Sequence, residues 1–111
     1  MIASMMNLNF QSAFEQSEKD EQQLTAHQNQ LLIDSQGKAI GNAFGNCGMK
    51  YPQQKVSSFT IVVELDKSGK VVQTWNNQQT PFPLCIEKQI QNEMLFKPPY
   101  TPFFSSFEFQ F

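Results

Sequence analysis

The side chains best suited to covalent chemistry are two cysteines, Cys47 and Cys85, and one histidine, His27. A cysteine nucleophile needs a nearby base to take its proton, but His27 lies in a polar segment, far along the chain from either cysteine. A zinc site needs ligands in close pairs, and these three residues are widely spaced. We therefore expect no cysteine catalysis, no metal site and no cofactor. An enzyme would be supported only if His27 lay beside one of the cysteines.

Two carboxylates, Glu64 and Asp66, share the outward face of a predicted strand. Acid catalysis requires a carboxyl group whose pKa is raised, usually by burial. We expect both groups to be hydrated surface charges, where nothing would raise the pKa. A phosphate-binding loop is also not expected, because Gly41, Gly45 and Gly48 do not follow a strand in the required order. The residue types therefore favour a protein without its own catalytic chemistry.

The composition excludes two further classes of partner. The chain of 111 residues contains no arginine and has a net charge of -2, so it lacks the basic surface that nucleic-acid binding requires. It also contains no run of about 18 apolar residues that could span a membrane. Residues 1–10 lack the pattern of a signal peptide, so we expect either a cytosolic chain or a mature form. Two cysteines fit one disulfide in an oxidising compartment or two free thiols in the cytosol.

The first third of the chain is polar. Residues 10–30 are rich in Gln, Glu and Lys, a composition typical of a solvated helix or a poorly ordered arm. Residues 34–37 follow as a turn or helix-start signal.

A helix is predicted next, ending at Gly48. Its proposed buried face repeats at i, i+3, i+4 and i+7 and consists of Ile40, Ala43, Phe44 and Cys47. An alternative is a second hairpin, because residues 32–40 echo residues 64–72. We favour the helix because this spacing fits no strand.

The clearest local signal is a hairpin. Residues 58–66 alternate apolar and polar side chains, which predicts a half-buried strand. Residues 71–75 are predicted to form the returning strand of the hairpin. Gly69 supplies the positive φ that the turn between them needs.

A second helix and a last strand follow. Thr80 and Pro81 predict a helix start, and this helix is expected to end near Phe96, before Pro98 and Pro99. Residues 103–111 alternate again and predict the final strand.

The final strand is the aromatic end of the chain. We expect one of its faces to pack in the core through Phe103, Phe107, Phe109 and Phe111. Phe104 on the opposite face, and Trp75 at the end of its own strand, are candidates for an exposed contact. The outward face of the final strand adds further candidate partner-binding residues, namely Ser106, Glu108 and Gln110. If this strand is an edge, its unpaired N–H and C=O groups invite a partner strand.

Several features in this order resemble one known type of domain. They are Cys47 at a helix end, the strand of residues 59–65, the turn with Gly69 and Val71, Cys85-Ile86 in the next helix, Phe96-Lys97-Pro98-Pro99, and Phe107-Glu108-Phe109. Over about the last two thirds of its length the chain resembles the C-terminal domain of TonB-like proteins, and more closely the periplasmic domains of the AgmX/PglI type.

The resemblance implies an α+β fold in the order α-β-β-α-β, with a small three-stranded antiparallel sheet packed by helices on one face. It implies that residues 31–111 form this TonB C-terminal-like domain. Residues 1–30 lie outside the resemblance, and their composition predicts a polar arm that is partly helical or disordered. It also implies a periplasmic or secreted location and a disulfide between Cys47 and Cys85.

We therefore expect a non-enzymatic, extracytoplasmic protein-binding module. Its partner would be another protein or a second copy of the chain, held by the edge of the final strand or by the Trp75 and Phe104 surface. The alternative is a periplasmic immunity or inhibitor protein that occludes the active site of a toxin, a role that suits a small acidic domain.

Overall fold

The computed structural model of the protein describes residues 8–50 and 57–110. Within them the chain forms three helices and three strands. In chain order these are α1 (Phe10–Gln22), α2 (Ala26–Lys50), β1 (Phe59–Leu65), β2 (Val71–Asn76), α3 (Pro81–Ile90) and β3 (Phe103–Phe109). The predicted α+β class and three-stranded antiparallel sheet are confirmed.

The sheet has the strand order β2-β1-β3, so β2 and β3 are its edges. β1 lies in the centre because it is apolar on both faces: Ile61 and Val62 point to opposite sides, and both are fully buried. The turn between β1 and β2 depends on Gly69, whose φ is 93°. A Cβ at Gly69 would lie 2.5 Å from the carbonyl oxygen of Leu95, so the turn requires glycine both for its backbone conformation and for space.

The main core lies between one face of the sheet and the helices α2 and α3. The predicted helix face is confirmed, since Ala43 and Cys47 are fully buried and Ile40 and Phe44 pack against the core. Cys47 is disulfide-bonded to Cys85 across 38 residues of sequence, with their Cα atoms 5.9 Å apart. The bond joins the last turns of α2 to the first turns of α3.

The bounds of α2 differ from the prediction. The helix continues through residues 34–37 and past Gly48, so the predicted turn, the predicted end and the alternative hairpin are all wrong. It begins at Ala26 because Thr25 and Gln28 form a reciprocal cap: the Gln28 N–H donates to Thr25 Oγ1 (3.1 Å) and the Thr25 N–H donates to Gln28 Oε1 (2.9 Å).

The helix α3 starts at Pro81, as predicted, but ends at Ile90 and not near Phe96. The chain leaves the helix early because the following segment pairs with the hairpin turn. There the Leu95 N–H donates to the Gly69 carbonyl (2.8 Å), and Leu95 and Phe96 are buried.

The second face of the sheet is covered by α1, whereas the sequence analysis placed helices on one face. This face carries Val62, Trp75 and Phe104, which form a separate buried cluster with Ala13 of α1. An apolar second face needs a cover, and the polar N-terminal segment supplies it. Phe103, Phe107 and Phe109 are buried in the main core, as predicted; Phe111 lies outside the described residues.

Candidate functional site

The edge of β3 that does not pair with β1 is hydrogen-bonded by side chains of the helices. Antiparallel pairing with β1 leaves alternate N–H groups of β3 pointing away from the sheet. The C-terminal turn of α1 supplies their acceptors: the Phe104 N–H donates to Asp20 Oδ2 and the Ser106 N–H donates to Glu21 Oε2, each at 2.9 Å. The carboxylates therefore bind where the carbonyl groups of a neighbouring strand would lie.

A glutamine of α2 completes this arrangement. Gln36 Nε2 donates to the Ser106 carbonyl (3.0 Å) and to the Ser105 hydroxyl (2.9 Å). The Ser105 hydroxyl in turn donates to Glu21 Oε2 (2.7 Å), and the Ser17 hydroxyl bonds to that of Ser106. The stretch of edge from Phe104 to Ser106 is thus bonded by two acceptors, Asp20 and Glu21, and one donor, Gln36. The backbone of an added strand would offer acceptors and donors to the same groups.

The carboxylates at this edge lie in a partly desolvated environment. Burial raises the pKa of Glu21 above its ordinary value, although hydrogen bonds from Ser106 and Ser105 oppose the shift. The Asp20 side chain is only 3% exposed, and it accepts a hydrogen bond from the Tyr100 hydroxyl (2.7 Å). Burial and this bond to Asp20 raise the pKa of Tyr100 to about 12.

The expected exposure of Trp75 and Phe104 is wrong. Phe104 is fully buried and Trp75 is 9% exposed, because α1 and Leu8 pack against them. Their rings pack together with centroids 5.5 Å apart, and the indole N–H of Trp75 donates to the Leu8 carbonyl (2.7 Å). The two residues do lie close together, but under α1 and not at the surface.

The other predicted contact residues lie along the same strand. Ser106 is half-buried at the edge, while Glu108 and Gln110 are exposed. The alternation that turns the N–H groups of Phe104 and Ser106 outward also turns out that of Glu108. Among the described residues, no turn, loop or side-chain hydrogen bond reaches this N–H group. Within the part of the chain that the structure describes, the edge of β3 is therefore bonded by side chains at its start and has no such bond at the Glu108 N–H.

The residues considered for catalysis do not come together. Both cysteines are in the disulfide, so neither is a thiolate nucleophile. His27 is exposed in the first turn of α2, and at 1.5 Å per residue it lies about 30 Å along that helix from Cys47. Over residues 8–50 and 57–110, no group of three or more His, Cys, Asp or Glu side chains is arranged to hold a metal ion.

The two carboxylates of β1 and its turn have different environments. Asp66 accepts hydrogen bonds from the hydroxyl of Ser68 (2.6 Å) and the N–H of Lys70 (3.0 Å), and these bonds lower its pKa. The expectation of a hydrated Glu64 is wrong, because burial raises the pKa of this group.

The sequence analysis missed Asp20, Glu21 and Gln36, which cover the edge. A signal was present in the polar segment, since one face of α1 follows the i, i+3, i+4, i+7 spacing of a helix that packs on a core. Its members are Phe10, Ala13, Phe14 and Ser17. Asp20 and Glu21 continue that face by one turn.

The fold and this edge define a small, disulfide-linked α+β domain in which the chain covers part of its own sheet edge. No family model, curated protein or solved structure matches the chain. The resemblance to TonB-like and AgmX/PglI-type domains therefore stays a prediction. No helix in the described part of the chain combines the length and apolar character needed to cross a membrane.

Proposed function

We propose that this chain is a non-enzymatic protein-binding module that acts outside the cytoplasm and binds an extended segment of another protein at the free edge of β3. The observation that carries this proposal is the hydrogen-bonding pattern of the edge. Asp20 and Glu21 accept from its N–H groups and Gln36 donates to its carbonyl. Among residues 8–50 and 57–110, no turn, loop or side-chain bond reaches the next outward N–H, that of Glu108. An added strand offers the same groups from its backbone.

The energetics allow such an exchange. A partner strand that displaces α1 and the Gln36 side chain of α2 would replace three side-chain bonds with backbone bonds of the same kind, so the edge would lose little hydrogen-bonding energy. The displaced carboxylates would return to water, where a charged group is more stable than in a partly buried position. Movement of α1 would also uncover Trp75 and Phe104, whose rings would then contact apolar side chains of the partner.

A peptide selection tests the binding edge. Peptides from a displayed random library are selected on the wild-type protein, and their affinities are then measured for Glu108→Pro and for Glu108→Ala. Proline removes the outward N–H that an added strand needs, while the fold tolerates it because that N–H is not paired with β1. We expect the selected peptides to bind Glu108→Ala normally and Glu108→Pro about tenfold or more weakly.

Two results would count against edge binding. One is a selection that yields no binder, and the other is a set of peptides that bind both variants equally. The circular dichroism spectrum and the intact disulfide of Glu108→Pro establish that this variant remains folded.

The proposed location has its own test. Disulfides persist in oxidising compartments, so we expect Cys47 and Cys85 to resist alkylation in the native host until the protein is reduced. Recovery of the protein with free thiols in the cytosolic fraction would contradict the location. The alternative role as an immunity or inhibitor protein also stays a prediction, and the measurement for it is protection of cells that express a candidate toxin.

A further inference from the structure

A cavity of about 470 Å³ lies at the end of the sheet next to the hairpin turn. Its walls include Glu64 of β1, Val72 of β2 and Pro102, which precedes β3. Glu64 shares the sheet face of Val62, which α1 covers, but it is two residues further toward the turn. At this end the sheet is less covered, since Val72 is 52% exposed.

Within residues 8–50 and 57–110, the Glu64 carboxylate has no hydrogen-bonding or ionic partner in this cavity. No hydrogen bond or ion pair from the described residues reaches it, although the side chain is partly buried. Its lost hydration is therefore not replaced, and burial alone accounts for the raised pKa of the group. A carboxylate in this position is stabilised by any cation that enters the cavity.

The surroundings define the shape and charge of a suitable ligand. Val72 and Pro102 offer apolar surface, and Asp66 adds a second negative charge to the lining, since its hydrogen bonds in the turn lower its pKa. Among the described residues that line the cavity, Lys67 is the only basic one. The described lining thus combines apolar surface with a net negative charge.

We propose that this cavity binds a lysine or arginine side chain presented by a protein partner. The cationic group would lie against Glu64, and its aliphatic stem would lie along Val72 and Pro102, because long basic side chains bury their stems on apolar surface. This site does not depend on the edge of β3, so either proposal can fail without the other.

Nuclear magnetic resonance titration of the full chain tests the cavity. The probe is Nα-acetyl-arginine N-methylamide, and the comparison ligand is the norleucine analogue, which has an apolar stem and no charge. We expect saturable shifts of the Val72 amide with the arginine probe only. Saturation should also lower the pKa of Glu64 toward its ordinary value.

The variant Glu64→Gln keeps the size of the side chain and removes its charge, so we expect it to lose the saturable shifts. Glu18→Gln, which changes an exposed carboxylate on α1, should bind the probe as the wild type does. Equal shifts with the norleucine ligand, or shifts that persist in Glu64→Gln, would overturn the proposal. So would a titration in which the Val72 amide does not respond.

Discussion

Replacement of Asp20 with alanine should loosen α1 and destabilise the whole domain. The Phe104 N–H is buried and donates to Asp20 Oδ2, so alanine would leave this donor without an acceptor, at a cost of about 1 to 3 kcal/mol. The bond from Tyr100 is also lost, but Tyr100 is 41% exposed, so its hydroxyl can bond to water. Relief of the desolvated carboxylate offsets part of the loss. The free energy of unfolding should therefore fall by about 2 kcal/mol.

The fluorescence of Trp75 during urea unfolding measures this change. Trp75 is the only tryptophan and it lies under α1, so its emission reports both docking of the helix and global unfolding. With a dependence of about 1 to 2 kcal/mol per molar urea, the midpoint should fall by about 1 to 2 M. The Phe104 amide should also exchange its hydrogen faster.

Two further variants distinguish loss of the hydrogen bond between Asp20 and Phe104 from a general effect of substitution in α1. Asp20→Asn keeps one acceptor oxygen for the Phe104 N–H and should lie between the wild type and Asp20→Ala. Glu18→Ala changes an exposed position of the same helix and should alter stability by less than about 0.5 kcal/mol. The reasoning is refuted if Asp20→Ala unfolds at the same urea concentration as Glu18→Ala.

Other measurements test the disulfide, the turn and the buried carboxylate. Replacing Cys47 and Cys85 with serine should lower the free energy of unfolding by about 4 kcal/mol, because the bond closes a long loop; an unchanged urea midpoint would contradict this. Gly69→Ala should cost more than about 1 kcal/mol, while Gly45→Ala, whose Cβ meets nothing within 4 Å, should gain about 0.5 to 1 kcal/mol; equal melting temperatures would contradict both. The folded-state pKa of Glu21 is raised above 4.5, so the folded state binds more protons and stability should fall as pH rises through that window. Glu21→Gln should remove this decline, and a urea midpoint that falls equally in both proteins would exclude Glu21 as its cause.

The hairpin and the core face of α2 could be predicted because their signals are local. The alternation along β1 and the positive φ of Gly69 are each determined by residues that are close together in the sequence. The end of α3 could not be predicted in this way. It is set by the bond between Leu95 and Gly69, which lie on different elements.

The covered edge could not be predicted for a similar reason. Asp20 and Phe104 are 84 residues apart, and Glu21 and Ser106 are 85 apart. Polar residues of a helix are usually solvated, so composition alone favours an exposed arm. The prediction that Trp75 is exposed was wrong for the same reason, because burial of that ring depends on where α1 lies.

The short link between α1 and α2 sets how strongly a competing strand must bind. Only residues 23–25 separate the two helices, so α1 stays near the edge of β3 even when it detaches. A tether of this length gives an effective concentration on the order of millimolar. A partner at about 1 μM would have to bind the edge roughly a thousandfold more tightly than α1 does to compete equally, a difference of about 4 kcal/mol. Weak, accidental strand pairing is thereby suppressed.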